Sequence, residues 1–228
     1  MVGRTDAPLV GHPYQVRRRT DRSPAAPAGR PSYSVVMASR PLIAVLLGAV
    51  FAVAACVPSA AASFDPTGPC TVDGAAPGAY PDLEALIPTT FESRRPDRLD
   101  SGRNCTAENL GSLAGLGISE VRFAGGTWDF GGNRAAALVV FEAPGLTADA
   151  VADFYAKSAA TASRTQITGQ ASPVLAGRAG HRLDTKTGDR QQTVVVWPSA
   201  TTDRVDVVLT NDLPDPKIQA AVDAFGGK

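Results

Sequence analysis

A chain of 228 residues with 44% hydrophobic and 19% charged side chains is long and apolar enough to bury a core, and too hydrophobic to belong with disordered chains. Its formal charge of zero conceals an asymmetry: residues 1–55 carry seven Lys/Arg against two Asp/Glu, whereas residues 56–228 carry fifteen against twenty. The larger part is mildly acidic and lacks the clustered basic surface that a phosphate backbone requires, so no nucleic-acid partner is expected.

Residues 1–36 are polar, rich in Arg and Pro, and precede a methionine, Met37, placed where an export signal would begin. They read as an upstream extension without stable structure. Arg17-Arg18-Arg19 resembles a twin-arginine motif, but several prolines separate it from the apolar run it would have to adjoin. Residues 37–55 read as a signal peptide: Arg40 supplies the positive flank, and the fourteen residues 42–55 are uninterruptedly apolar. That is the length of a signal-peptide core and short of the roughly 20 residues a spanning helix needs. The run closes on Val53-Ala54-Ala55-Cys56, which resembles the lipobox of bacterial lipoproteins. The resemblance implies cleavage before Cys56, a diacylglycerol on its thiol, palmitate-type chains, and a place on the outer face of the bacterial cytoplasmic membrane. Ala60-Ala61-Ala62 offers an ordinary signal-peptidase site instead, which would release a secreted protein.

Residues 56–78 are rich in Ala, Pro and Gly, lack hydrophobic period, and read as a flexible tether. With Cys56 carrying lipid, Cys70 and Cys105 remain, an even pair that an exported chain is expected to join as a disulfide. Asn104-Cys105-Thr106 also matches a glycosylation sequon, an accidental match in the bacterium that the lipobox resemblance implies.

One domain is expected over residues 79–228. Leu83, Leu86 and Ile87 predict a short helix before Pro88, and Thr106 caps another bearing Leu110, Leu113 and Leu116 up to Gly117. Val121 and Phe123 alternate with Glu120 and Arg122 in a half-buried strand that Gly125-Gly126 would end, and residues 135–141 are apolar throughout, as in a strand covered on both faces. Thr147 is a helix N-cap with Asp149 in the first turn, Leu146 set to staple on Val151, and Phe154, Tyr155 and Ser158 following at helical spacing. Extended runs follow at residues 164–168, 181–186, 192–197 and 204–210, the second and third joined by a Thr187-Gly188-Asp189 turn. A last helix opens at Asp215-Pro216 and presents Ile218, Ala221, Val222 and Phe225 on one face. Short links between late strands predict an α+β domain, an antiparallel sheet with helices packed mainly on one face. That element order and the export signal together resemble small actinobacterial lipoproteins of Mog1/PsbP-like plan, a resemblance that bears on fold and not on function.

Candidate chemistry is sparse. The chain has no G-x-S-x-G elbow, P-loop, G-x-G-x-x-G or H-E-x-x-H. His181 is the one imidazole beyond the signal, so a Ser-His or Cys-His mechanism would pass through it, and metal ligation lacks donors. Asp129 and Glu142 are carboxylates that could approach across neighbouring strands, but twenty acidic residues make chance pairs common. Within the Gly-rich stretch 125–133, Trp128, Asp129 and Phe130 form a possible binding loop. The expectation is a membrane-anchored, non-enzymatic binding domain without cofactor or metal, its partner an envelope protein or a small apolar ligand. The alternatives are a hydrolase built on His181 or on Asp129 with Glu142, and a carrier of lipid or another small apolar molecule.

Overall fold

The computed structural model describes residues 64–226, which belong to one compact unit. Cys56 and the signal-peptide reading lie outside these residues. Ten strands form: β1 (Gly74–Ala76), β2 (Arg98–Asn104), β3 (Val121–Gly131), β4 (Arg134–Glu142), β5 (Thr165–Ala171), β6 (Val174–Leu175), β7 (Arg178–Ala179), β8 (His181–Thr187), β9 (Arg190–Pro198) and β10 (Arg204–Asn211). Eight make one antiparallel sheet in the order β1-β2-β3-β4-β10-β9-β8-β5, and β6 with β7 make a small separate hairpin. The helices are α1 (Pro81–Glu84), α2 (Ala107–Leu110), α3 (Ala148–Thr161) and α4 (Asp215–Gly226), with a 3-10 turn at Gly111–Leu116.

The helices are not gathered on one face, as expected, but lie on both. Ala137, Val139 and Phe141 of β4 join a core with Val151, Tyr155 and Ala159 of α3. The alternate β4 residues Ala136, Leu138 and Val140 join a second core with Leu83 of α1 and with Ile218, Val222 and Phe225 of α4. The period of two in a strand sends neighbours to opposite faces, so strands apolar at every position require cover on both. β4, β9 and β10 are buried at consecutive positions, with Asp206 the one charged residue among those positions, and each face receives a helix.

Local signals explain the best-defined elements. The Thr147 hydroxyl accepts from the Ala150 amide at 3.2 Å, and Leu146 and Val151 are buried in one core as a staple. Gly188 adopts φ +62° in the two-residue turn between β8 and β9. The helix expected over residues 81–87 is a single turn, and the one after Thr106 passes from one α turn to a 3-10 turn that ends at Gly117.

Three other expectations change. Gly125-Gly126 does not end β3, which continues to Gly131; a Cβ on Gly126 would stand 2.8 Å from Ile87 and 2.9 Å from Trp128, so glycine admits close packing there. Arg94, Arg95, Arg98 and Arg103, interleaved with Glu92, Asp97 and Asp100, have the pattern of a solvated loop, yet the segment contains β2, whose Asp100, Ser101 and Arg103 are buried. Residues 64–78 are not a free tether, because β1 pairs with β2 and the Cys70–Cys105 disulfide, with Cα atoms 5.3 Å apart, ties the segment to the sheet. The folded domain therefore includes residues 64–78 as well as those from 79 onward.

Candidate functional site

Trp128, expected on a binding loop, is fully buried in the face beneath α1 and α4. Its indole N–H donates to the Arg94 carbonyl at 2.9 Å and its ring meets Phe91 edge-on at 5.8 Å. The Phe91–Arg94 turn that supplies this carbonyl holds Glu92 and Ser93 at φ 51° and 61°, a costly conformation for side-chain-bearing residues that the Trp128 bond helps to retain. Phe130 is half-buried between the Arg94 and Lys217 cations, and Asp129 accepts from the Gly131 amide in the turn that leads to β4. The three residues are a core anchor and its rim, and the stretch 125–133 is mostly strand.

The Asp129/Glu142 pair does not assemble. Asp129 lies in register with Ala135 and Glu142 with Arg122, at opposite ends of the β3–β4 hairpin. Glu142 instead forms an ion pair with Arg204. Beside that pair, a cleft of about 510 Å3 is bounded by Ile118, Glu120, Arg122, Glu142 and Pro144, and its charges neutralise one another through Arg122–Glu120 at 3.2 Å and Arg204–Glu142.

His181 meets a carboxylate: its Nε2 is 2.7 Å from Asp149 Oδ1, joining β8 to the first turn of α3. Asp149 is 89% exposed, so the contact is a surface tie between sheet and helix. Of the basic run, Arg94 bonds the Asp129 carbonyl and pairs with Asp97, and Arg98 pairs with Asp100. Arg103 is buried and directs its guanidinium at the carbonyls of Asp65, Gly68 and Pro69, which makes it a clamp on the N-terminal segment.

A different site is legible only in three dimensions. Beside the start of α4 two adjoining pockets share Arg182, Asp215 and Ile218 in their linings and form a groove across β8, β9 and β10. Its polar half, about 330 Å3, presents Arg182, Asp184, Thr193, Thr210 and Asp212. Its apolar half, about 350 Å3, presents Pro173, Leu175, Val195, Pro216, Ile218 and Val222. Arg182 stands between the halves, its Nε on Asp184 at 3.0 Å and its terminal nitrogen on Asp215 at 2.7 Å, while the Thr193 hydroxyl donates to Asp184 at 2.6 Å. Val174, next to the groove-lining Pro173 and Leu175, is 75% exposed. An apolar wall and a hydrogen-bonding wall thus meet at Arg182; among the described residues no cluster of His, Cys, Asp and Glu could hold a metal ion.

Farther along the same face, Asp206 is in register between Val140 and Trp197. Burial pushes its carboxyl up to about 6, against the opposing influence of the Ser199 hydrogen bond and the Arg178 and Arg204 charges. Trp197 is fully buried, and its indole N–H has no partner among the described residues. The space between sheet and helices is filled here by Trp197 and Phe225, packed edge-on at 5.9 Å.

No family model matches the chain, and no curated protein matches it.

Proposed function

We infer that the protein is an exported lipoprotein, held by acyl chains on Cys56 to the outer face of a bacterial cytoplasmic membrane, whose domain binds a small amphipathic molecule without transforming it. The anchor reading rests on the lipobox resemblance of Val53-Ala54-Ala55-Cys56, and the Cys70–Cys105 disulfide suits the oxidising side of the membrane. The observation that carries the binding reading is the groove beside α4, where an apolar wall and a hydrogen-bonding wall meet at Arg182. A carrier with an enclosed apolar chamber is the less favoured form, since the interlayer space holds Trp128, Trp197 and Phe225. Hydrolysis through Asp129 with Glu142 has no geometry in its favour.

The test is native mass spectrometry of the protein extracted gently from its own membranes, with a Gln219→Trp variant alongside. Gln219 is exposed and lines the apolar half, so a tryptophan there fills the groove and leaves the core intact. A mass beginning at acylated Cys56, with a small adduct that the variant lacks, is the expected result. An unacylated chain beginning near Ser63 would replace the anchor by secretion, and an adduct unchanged in the variant would remove the groove from the reading.

A further inference from the structure

The domain carries its exposed large aliphatic side chains in two separate places. Among the described residues, Val72 is 68% and Leu116 63% exposed, while Ile167 and Val174 lie at β5 and β6. Val72 and Leu116 are far apart in sequence but share one corner. Val72 sits between Cys70, which is joined to Cys105 and whose sulfur lies 4.0 Å from the Ser119 carbonyl, and Asp73, which binds the start of α2. Leu116 ends the 3-10 turn three residues before Ser119.

The surface around them is almost free of charge. Residues 111–119 contain no charged side chain, and in residues 66–80 the only one is Asp73. The Asp73 carboxylate is turned inward, accepting from the Cys105 and Thr106 amides, the Thr106 hydroxyl and the Asn109 side chain. Glu108 and Asp65 are the exposed acids at its margin, and just beyond Ser119 the half-exposed Arg122 is neutralised by Glu120 at 3.2 Å. Contact with a bilayer interface would therefore cost little desolvation and bury two aliphatic side chains.

The chain enters the domain at the same corner. Phe64 packs against Gly74, and the carbonyls of residues 65, 68 and 69 are held by Arg103, next to the β2 end that carries Cys105. Phe64 lies eight positions after Cys56, a reach of at most about 29 Å even when fully extended.

Resting on the anchor reading above, we propose that the corner formed by Val72, Leu116 and the Cys70–Cys105 disulfide is the membrane-facing surface of the domain, inserted at the lipid headgroup level beside the acylated Cys56. The groove beside α4 then faces away from the bilayer. In the sheet order, β8 stands five strands from β2, about 24 Å at the usual strand spacing. The basic run is not part of this contact, because Arg94 and Arg98 lie at the other end of β2 from Cys105.

The experiment uses the chain from Cys56 onward, coupled through the Cys56 thiol to a maleimide lipid in phosphatidylcholine/phosphatidylglycerol vesicles whose acyl chains are brominated. Cys70 and Cys105 are spent in the disulfide, and the native Trp128 and Trp197 are buried and give a constant background. In three single variants, Val72→Trp, Leu116→Trp and Val174→Trp, the first two are expected to shift to the blue and to be quenched several-fold more strongly than the third. Equal quenching at all three positions, stronger quenching at 174, or none at any overturns the proposed orientation. Coupling imposes the anchor chemically, so these outcomes judge the surface alone, while the mass of the protein from its own membranes judges natural acylation.

Discussion

Asp73 and Asp206 are both aspartates drawn out of water, and their surroundings act on them in opposite directions. At the N-terminal edge, Asp73 loses hydration but receives two amides, a hydroxyl and a carboxamide, and its carboxyl is held below the ordinary value. In the sheet interior, Asp206 is in register with Val140 and Trp197, and burial outweighs its Ser199 bond and the neighbouring arginines. Burial alone disfavours the charged form; enough donors reverse the sign. The edge can supply donors because it is stitched by the start of α2, whereas a central strand has already committed its backbone to the sheet. One aspartate is a staple, and the other a cost retained at neutral pH.

The largest effect should come from cutting the stitched edge. Replacing Cys70 and Cys105 together by serine opens a loop with sequence separation 35 and should lower unfolding stability by about 4 kcal/mol in the chain-entropy model. The measurement is denaturant unfolding. A loss under about 1 kcal/mol would mean that β1, Arg103 and Asp73 hold the edge without the covalent link.

The interior aspartate should respond with the opposite sign. The folded Asp206 takes up its proton near pH 6 and the unfolded one near pH 4, so between these values the folded chain binds more protons and stability falls as pH rises. The cost is fully present above about pH 7 and absent below about pH 4. Asp206→Asn should therefore stabilise the protein by about 2 kcal/mol at pH 7.5 and leave it nearly unchanged at pH 4, after allowance for partial solvent contact. Thermal or urea unfolding across that range checks it, and a variant destabilised at pH 7.5 would show that the Asp206 charge is used.

Asp73→Asn should have the smallest effect and the contrary pH profile. The lowered carboxyl contributes stability that is present above the unfolded value near pH 4 and lost as pH falls through the folded one. Its loss should cost about 1 kcal/mol at pH 7, in the range of an N-cap substitution and discounted for exposure, and nothing at low pH. Together the two aspartate variants should tilt the stability profile in opposite directions.

Parts of this architecture were legible in the residue pattern. Thr147, Asp149 and the Val151 face announced α3, residues 135–141 announced a strand covered on both sides, and the turn at Gly188 announced the β8–β9 hairpin. β2 escaped because Arg98, Asp100 and Arg103 look like a solvated loop until their partners are present. Trp128 looked like an exposed aromatic because the Arg94 carbonyl that receives its N–H lies 34 residues away. The groove could not be read from the chain at all, since it brings together Pro173, Arg182, Val195 and Ile218 from separate elements.

The sequence by itself made Cys70 and Cys105 the expected pair and determined those helices and strands whose hydrophobic period and caps are local. Only the tertiary structure decided that helices cover both faces, that residues 64–78 belong to the domain, and that the suspected binding loop is a core anchor. The physical reason is range: capping and periodicity act over a few residues, whereas burial of a charge, a tryptophan or a glycine contact depends on atoms that the fold brings from tens of residues away.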